Sequence, residues 1–261
     1  YQITTGQIKS IEPHPNADKL VITSVFDGKH SHQIVTGASN ISVNDIVPLA
    51  LPGSVLINGL KLKQAKLRGV DSFGMLCSQT ELGAGDDASG IWILPSDTPI
   101  GCDFIEYALL KDTILDIDIL PNRGDCQSLL GMAREISAIL DTSFKTPNSP
   151  YKTVKKTSSI TVSVKDKKAC PYYQLQELSI NPKAVTPIWM MRRLHLSGIR
   201  PLSLAVDITN YILLEYGQPL HAFDKECLSS SSIVVKTATT TTSFTTLDSQ
   251  EIQLNHLCFQ N

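Results

Sequence analysis

The chain has 261 residues, 42% of them hydrophobic and 18% charged, with 23 Lys and Arg against 25 Asp and Glu for a formal net charge of −2. That apolar fraction supports packed cores and excludes wholesale disorder, and at roughly 150 residues per domain the length corresponds to one large domain or two ordinary ones. No apolar run approaches the roughly 20 residues of a membrane helix, and a whole-chain charge near neutrality argues against a nucleic-acid binder, which carries a basic excess.

The start, Tyr1-Gln2-Ile3-Thr4-Thr5, has no basic region followed by an apolar stretch, so no signal peptide is expected. Six cysteines (Cys77, Cys102, Cys126, Cys170, Cys227 and Cys258) are scattered, with no Cys-x-x-Cys pair. A structural zinc site therefore has no sequence support, and reduced thiols in a cytoplasmic setting are expected.

Residues 1–106 are predicted to be β. Strands are expected at Gly6–Ile11, Leu20–Phe26, His32–Thr36, Ile46–Leu51, Leu60–Leu67 and Ile91–Leu94, separated by Pro13-His14-Pro15-Asn16, Asp27-Gly28, Gly37-Ala38-Ser39-Asn40, Pro52-Gly53 and Asn58-Gly59. Asp-Gly and Asn-Gly favour two-residue hairpins because both central positions need φ > 0. Several short strands at this spacing indicate a small closed barrel or a sandwich. Leu129, Leu130, Ala133, Ile136, Ile139 and Leu140 then recur at helical spacing and predict a helix over about 126–140, with Asp125 as its N-cap. Residues 141–159, rich in Pro, Ser, Thr and Lys, read as a linker.

After residue 160 strand and helix alternate. Ile160–Val164 is a predicted strand. Thr186-Pro187 opens a helix that runs to about Ser197 and stops at Gly198, and a second helix runs from about Ser203 to Tyr216 and stops at Gly217. The Thr-rich tract 237–246 favours β hairpins over disorder.

Charge is distributed unevenly. Residues 1–110 hold seven Lys and Arg against eleven Asp and Glu, a net of −4; residues 111–150 carry −2; residues 151–261 hold twelve against eight, a net of +4. Within the first segment the cations Lys61, Lys63, Lys66 and Arg68 are clustered, with Lys61 and Lys63 on one face of the predicted strand. Such a cluster is either a solvated face or a track for a phosphate backbone.

His14-Pro15-Asn16-Ala17-Asp18-Lys19-Leu20, taken alone, reads as a rigid inter-strand turn, and Met75 and Cys77 of Ser72-Phe73-Gly74-Met75-Leu76-Cys77-Ser78 as core residues at period two. Together with Lys61–Gly69 and in this order, these segments make residues 6–106 resemble the EMAP-like tRNA-binding domain, an OB-fold barrel. The blocks that follow narrow the resemblance. They are Pro121-Asn122-Arg123-Gly124-Asp125-Cys126, Ala133-Arg134-Glu135, Cys170-Pro171-Tyr172-Tyr173, Ile199-Arg200-Pro201, Val206-Asp207-Ile208-Thr209-Asn210-Tyr211 and Glu215-Tyr216-Gly217-Gln218-Pro219-Leu220-His221-Ala222-Phe223-Asp224. Their succession resembles the β subunit of bacterial phenylalanyl-tRNA synthetase over nearly the whole chain, as an N-terminal fragment.

The resemblance implies an α+β, multidomain chain: an OB-fold β-barrel (1–110), a helical segment and linker (111–159) and a partial α/β editing domain (160–261). It implies tRNA(Phe) and an α subunit as partners in a tetramer of two α and two β chains, no membrane, and ATP and Mg²⁺ as cofactors of the whole enzyme but none in this fragment. No phosphate-cradling Gly-rich loop is visible, which agrees with placing the adenylate chemistry on the α subunit. By the same resemblance Lys61, Lys63, Lys66, Arg68 and Met75 are RNA-contact candidates. Arg200, Asn210 and His221 are editing-pocket candidates: Arg200 for a phosphate or an oxyanion, His221 for water or the ester, and Asn210 as a mid-helix Asn with a buried hydrogen-bonding role. The glutamate that the family uses for the tyrosine hydroxyl is expected beyond Asn261. Two other readings are a free-standing tRNA-binding module resting on residues 1–106 and an autonomous editing hydrolase.

Overall fold

The structure is a computed structural model; it describes residues 3–147, 158–238, 242–246, 249–254 and 258–260. The chain forms two compact units, one of Tyr1–Met132 with Val185–Pro219, the other of Ala133–Ala184 with Leu220–Asn261.

The first unit is built on an antiparallel sheet of β1 (Ile3–Pro13), β2 (Val21–Phe26), β3 (Ser31–Thr36), β4 (Ile46–Ala50) and β7 (Met75–Leu76), in the order β3-β2-β1-β4-β7. Between β4 and β7 lies a separate hairpin, β5 (Ala65–Leu67) with β6 (Val70–Ser72). The sheet is bent into a nearly closed barrel. β1 bulges between Ile8 and Ser10, which increases local twist. The β6–β7 corner then meets β3: Val35 N–H donates to Ser72 Oγ (3.1 Å) and Phe73 N–H to the Gln33 carbonyl (2.9 Å). Glycine is required at that corner. Gly74 has φ +150°, and a Cβ there would lie 2.6 Å from the Ala50 carbonyl oxygen.

Alternation fills the barrel. Ile8, Val25, Ile34, Val47, Leu49 and Leu76 form one buried cluster, and a second gathers Trp92, Leu94, Phe104 and Ile188 around Ile3 and Ile46. Residues 95–107 are tied back to β1 by buried Thr5, whose hydroxyl donates to the Pro99 carbonyl (2.5 Å) and accepts from Cys102 N–H (3.1 Å). Asp103 caps α1 (Phe104–Tyr107), accepting from Ile105 N–H at 2.8 Å.

Two predicted strands are corrected. Leu60–Leu67 is not one strand: a ribbon over 53–62 closes on Asn58-Gly59, with Leu62 N–H on the Ser54 carbonyl (2.8 Å), and β5 begins only at Ala65. Each piece is captured by its own turn, so the chain must change direction between them, and Lys61 and Lys63 do not share a strand face. Ile91–Leu94 reduces to a single bridge, Leu94 with Ile46.

Helix α2 (Leu129–Ile139) crosses the division between the units. Its N-terminal cap is Ser128, whose Oγ accepts from Gly131 N–H at 3.0 Å, and not Asp125. Asp125 is engaged by Arg123 (Nε 3.0 Å, Nη2 2.9 Å), which holds its carboxyl down at about 2. The apolar residues Leu129, Ile136, Ile139 and Leu140 are exposed.

Helices α3 (Ile188–Leu196) and α4 (Leu204–Tyr216) complete the first unit. Pro187 stands at the α3 cap, one position before the predicted N1. Gly198 (φ +76°) ends α3 as predicted: its N–H bonds the His195 carbonyl (3.0 Å) and Ile199 N–H the Leu194 carbonyl (2.9 Å). Gly217 (φ +72°) ends α4. The pair is joined by Trp189 edge-on to Tyr211 (5.3 Å) and by Arg193 Nη1 donating to Tyr211 Oη (3.0 Å).

In the second unit, β8 (Thr161–Val164) pairs parallel with β9 (Ser232–Thr237), and β12 (Cys258–Gln260) lies antiparallel on the other edge of β9. At the end of β9, Thr237 Oγ1 donates to Asp166 Oδ2 at 2.7 Å, two residues beyond β8. The Thr-rich tract supplies β10 (Thr242–Thr245), which forms a hairpin with β11 (Glu251–Leu254); residues 239–241 of that tract lie outside the described ones.

Candidate functional site

The cationic cluster falls on two hairpins of the first unit. Lys61 is exposed and bridged to Val55 on the 53–62 ribbon, and Lys63 follows in irregular chain. Lys66 stands on β5 in register with Asp71 on β6, and Arg68 occupies the turn. Arg68 (φ +46°) and Gly69 (φ +95°) both take positive φ, the two-residue hairpin geometry that matches strand twist. All four cations are exposed, whereas Met75 is half-buried on β7 and packs against the core.

The polar turn at residues 13–20 holds this hairpin. The His14 ring is buried, accepts from Asn16 N–H at Nδ1 (3.0 Å) and lies 3.1 Å from the Leu67 carbonyl through Nε2. With Nδ1 occupied as an acceptor, Nε2 is the protonated nitrogen that donates to Leu67. Asn16 Nδ2 donates to the Arg68 carbonyl at 3.3 Å.

A second locus lies on the α3–α4 side of the same unit. A cavity of about 360 Å³ is lined by Gln79, Asp86, Asp87, His195, Arg200 and Pro201, among others. Arg200 is exposed on the link between the helices. Hydrogen bonds from the Ser89 hydroxyl (2.6 Å) and N–H (2.9 Å) hold the Asp87 carboxyl below its ordinary range, and the Arg200 charge acts in the same direction. Alongside, Arg192 Nη1 donates to the Gly83 carbonyl (2.6 Å), and burial lowers that guanidinium against the opposing charge of Asp112. Asn210 on α4 is half-buried, not buried, and its side chain has no hydrogen-bond partner among the described residues.

His221 belongs to the second unit. Its ring is exposed and packs at 4.5 Å and 61° on Phe223. The strip that carries it is anchored just downstream. Lys225 pairs with Glu177, which also accepts from Ser159 N–H (3.1 Å) and the hydroxyls of Ser159 (3.1 Å) and Ser158 (3.2 Å). The Lys225 ammonium first, then these donors, hold the Glu177 carboxyl at about 2. An exposed imidazole on an anchored strip can accept or give a proton to a docked substrate.

Arg200 and Asn210 therefore share one unit and His221 lies in the other. Reasoning from sequence missed Gln79, Asp86, Asp87 and His195, which are far apart along the chain and are joined only by the fold. It also left unassigned Asp207, whose burial beside Thr186 had a trace in the sequence, a carboxyl in the first turn of a predicted helix.

Comparison with known proteins covers both parts of the chain. The family model of a tRNA binding domain matches residues 3–103, and that of the B3/4 domain matches residues 169–258. Among curated relatives, the phenylalanine–tRNA ligase β subunit of Clostridium acetobutylicum is 45% identical over 259 residues, covering 97% of this chain and 33% of the relative. That of Hahella chejuensis is 43% identical (97% and 32%), and that of Methylococcus capsulatus 47% identical over 229 residues (87% and 29%). The chain spans about a third of the length of these relatives. Among solved structures, the C-terminal domain of Plasmodium vivax p43 aligns with a TM-score of 0.29 at 24% identity, covering 38% of this chain and 56% of that one, a likeness too low to argue from.

Proposed function

This chain belongs to the phenylalanine–tRNA ligase β-subunit family, and from that premise we propose that it works in the cytoplasm as part of an enzyme that joins phenylalanine to tRNA(Phe), in a tetramer of two α and two β chains. The observation that supports this is the identity itself: 45% sustained along 97% of the chain, with tRNA-binding and B3/4 models matched in order. In this reading residues 1–110 are an OB-fold barrel that contributes a tRNA-facing surface, 111–159 a helical connection and 160–261 part of an editing domain that hydrolyses tyrosine wrongly attached to the tRNA.

The chemistry gives such a domain a purpose. Tyrosine is phenylalanine plus one hydroxyl, and an apolar pocket rejects an added hydroxyl by only about a hundredfold. A second site that recognises the hydroxyl and cleaves the ester restores discrimination. Arg200 would hold a phosphate of the tRNA end or the developing oxyanion, His221 would orient water at the ester, and Asn210 would supply an amide hydrogen bond.

ATP and Mg²⁺ belong to the charging reaction, which this proposal places on the α subunit. The described residues do not fit a phosphate cradle. Among the described residues, positive-φ glycines sit in turns and corners (Gly28, Gly53, Gly59, Gly69, Gly74) or end helical segments (Gly83, Gly198, Gly217). Gly101 alone precedes a helix, the four-residue α1, and no such glycine joins a strand to a longer helix. The 261-residue chain alone, given ATP, phenylalanine and tRNA, is expected to form no phenylalanyl-tRNA, whereas the complete β subunit carrying it is expected to do so with its α partner. Charging by the isolated chain, or none by the assembly, refutes the proposal.

A further inference from the structure

Asp207 is the sole fully buried carboxyl among the described residues, at 1% exposure. Burying that group costs several kcal/mol unless it is hydrogen-bonded. Its two oxygens have separate partners: Oδ2 accepts from Thr186 Oγ1 at 2.5 Å, and Oδ1 accepts from Leu202 N–H at 2.8 Å. One side chain thus ties three stretches together: the residue before the α3 cap, the link between the helices, and the first turn of α4. A favourable interaction with the α4 dipole does not explain the burial, because an exposed carboxyl gains it as well.

The link is short and stiff. Arg200 and Leu202 are separated only by Pro201, whose ring fixes φ near −65° and confines the preceding residue to extended backbone. Holding the Leu202 N–H therefore sets the backbone of Arg200 through one rigid residue. Arg200 and Pro201 of that stretch line the cavity together with Met191 and His195 of α3, Gln79 and Asp87.

We propose that Asp207 is a positioning residue for Arg200, fixing through Leu202 and Pro201 the direction in which the guanidinium enters the cavity. The inference rests on the reading above in which Arg200 serves hydrolysis of a mischarged tRNA. Geometry, not charge, is the requirement. An amide at residue 207 can accept from Leu202 N–H through its oxygen and donate to Thr186 Oγ1 through its nitrogen.

The test is tyrosyl-tRNA(Phe) hydrolysis by the assembled α and full-length β enzyme, with kcat and KM separated for Arg200→Ala, Asp207→Ala, Asp207→Asn, Thr186→Val and the double variant Arg200→Ala/Asp207→Ala. Arg200→Ala is expected to lower kcat/KM on the order of a hundredfold. Asp207→Ala should reproduce its split between kcat and KM, and the double variant should be no slower than Arg200→Ala alone. Asp207→Asn should restore activity to within about threefold of the parent, with Thr186→Val between the extremes. Multiplying losses in the double variant, or an Asn variant as slow as the Ala one, overturns the positioning role while leaving Arg200 in place. A silent Arg200→Ala overturns the underlying reading and the inference with it. Should Asp207→Ala fail to assemble, Thr186→Val and Asp207→Asn, each alone and combined with Arg200→Ala, decide by the same criterion of non-additivity.

Discussion

The His14 imidazole donates through Nε2 to the carbonyl of Leu67, 53 residues further along the chain, at 3.1 Å. One buried ring in the turn between β1 and β2 thereby fixes the hairpin that carries Lys66 and Arg68, and the same ring's Nδ1 keeps its own turn closed by accepting from Asn16 N–H.

Removing that ring should free the hairpin more than it harms the barrel. His14→Ala leaves the Leu67 carbonyl and the Asn16 N–H without their partner, a loss of about 1–3 kcal/mol. Trypsin cleavage after Lys66 and Arg68 should accelerate well before global unfolding. Unchanged cleavage kinetics would show that the clamp does not hold the hairpin.

Asp27 predicts an acid-sensitive contribution to stability. Burial opposes ionisation there, but the His30 N–H, the His32 ring (2.7 Å) and the Lys29 N–H outweigh it and lower the carboxyl to about 2. A depressed carboxyl stabilises the fold above its unfolded value near 3.8 and loses that effect as pH falls toward 2. Urea titrations between pH 5 and about 2 should show this loss in the parent and a flatter profile in Asp27→Asn; parallel profiles in both would contradict the assignment.

The two thiols Cys77 and Cys227 should differ sharply in reactivity. Burial first, then the nearby Glu81 charge, push the Cys77 thiol up to about 12, while Cys227 is exposed. Because the thiolate is the nucleophile, iodoacetamide at pH 8 should label Cys227 in the native protein and leave Cys77 untouched until denaturation. Equal labelling would mean that the core around Cys77 opens readily.

The cationic hairpins should matter little for tRNA. Residues 1–110 carry a net −4, and Lys66 stands in register with Asp71. Replacing Lys61, Lys63, Lys66 and Arg68 together in the assembled enzyme should change tRNA affinity by less than about threefold and barely alter its salt dependence. A loss beyond about tenfold would make the barrel a principal RNA contact.

Sequence patterns carried most of the local architecture. Asp27-Gly28 and Asn58-Gly59 marked where turns fall, but neither is the two-residue hairpin expected: only Gly28 (φ +91°) and Gly59 (φ +81°) take positive φ, and the loops run over 27–30, between paired Phe26 and Ser31, and over 57–59. Gly198 and Gly217 marked helix ends because positive φ restricts residue choice so severely. The Arg68-Gly69 turn escaped because Arg is a poor signal for φ > 0, and the strand expected over Leu60–Leu67 stopped just short of it with no turn marked there. Asp125 and Ser128 are both good caps, and only the Arg123 contact decides between them. The cavity beside Arg200 left no local trace: its walls come from residues 79–87 and 191–201, brought together by tertiary packing. His221 and Arg200 were legible only as parts of the family blocks, since spacing alone does not single out an exposed His or Arg.

The central claim, that the part of the chain following residue 160 serves hydrolysis of mischarged tRNA, is met most directly by one substitution. His221→Ala in the full-length β subunit, assembled with its α partner, should abolish release of tyrosine from tyrosyl-tRNA(Phe) while phenylalanine charging continues. Tyrosine release at the parent rate in that variant would contradict the account.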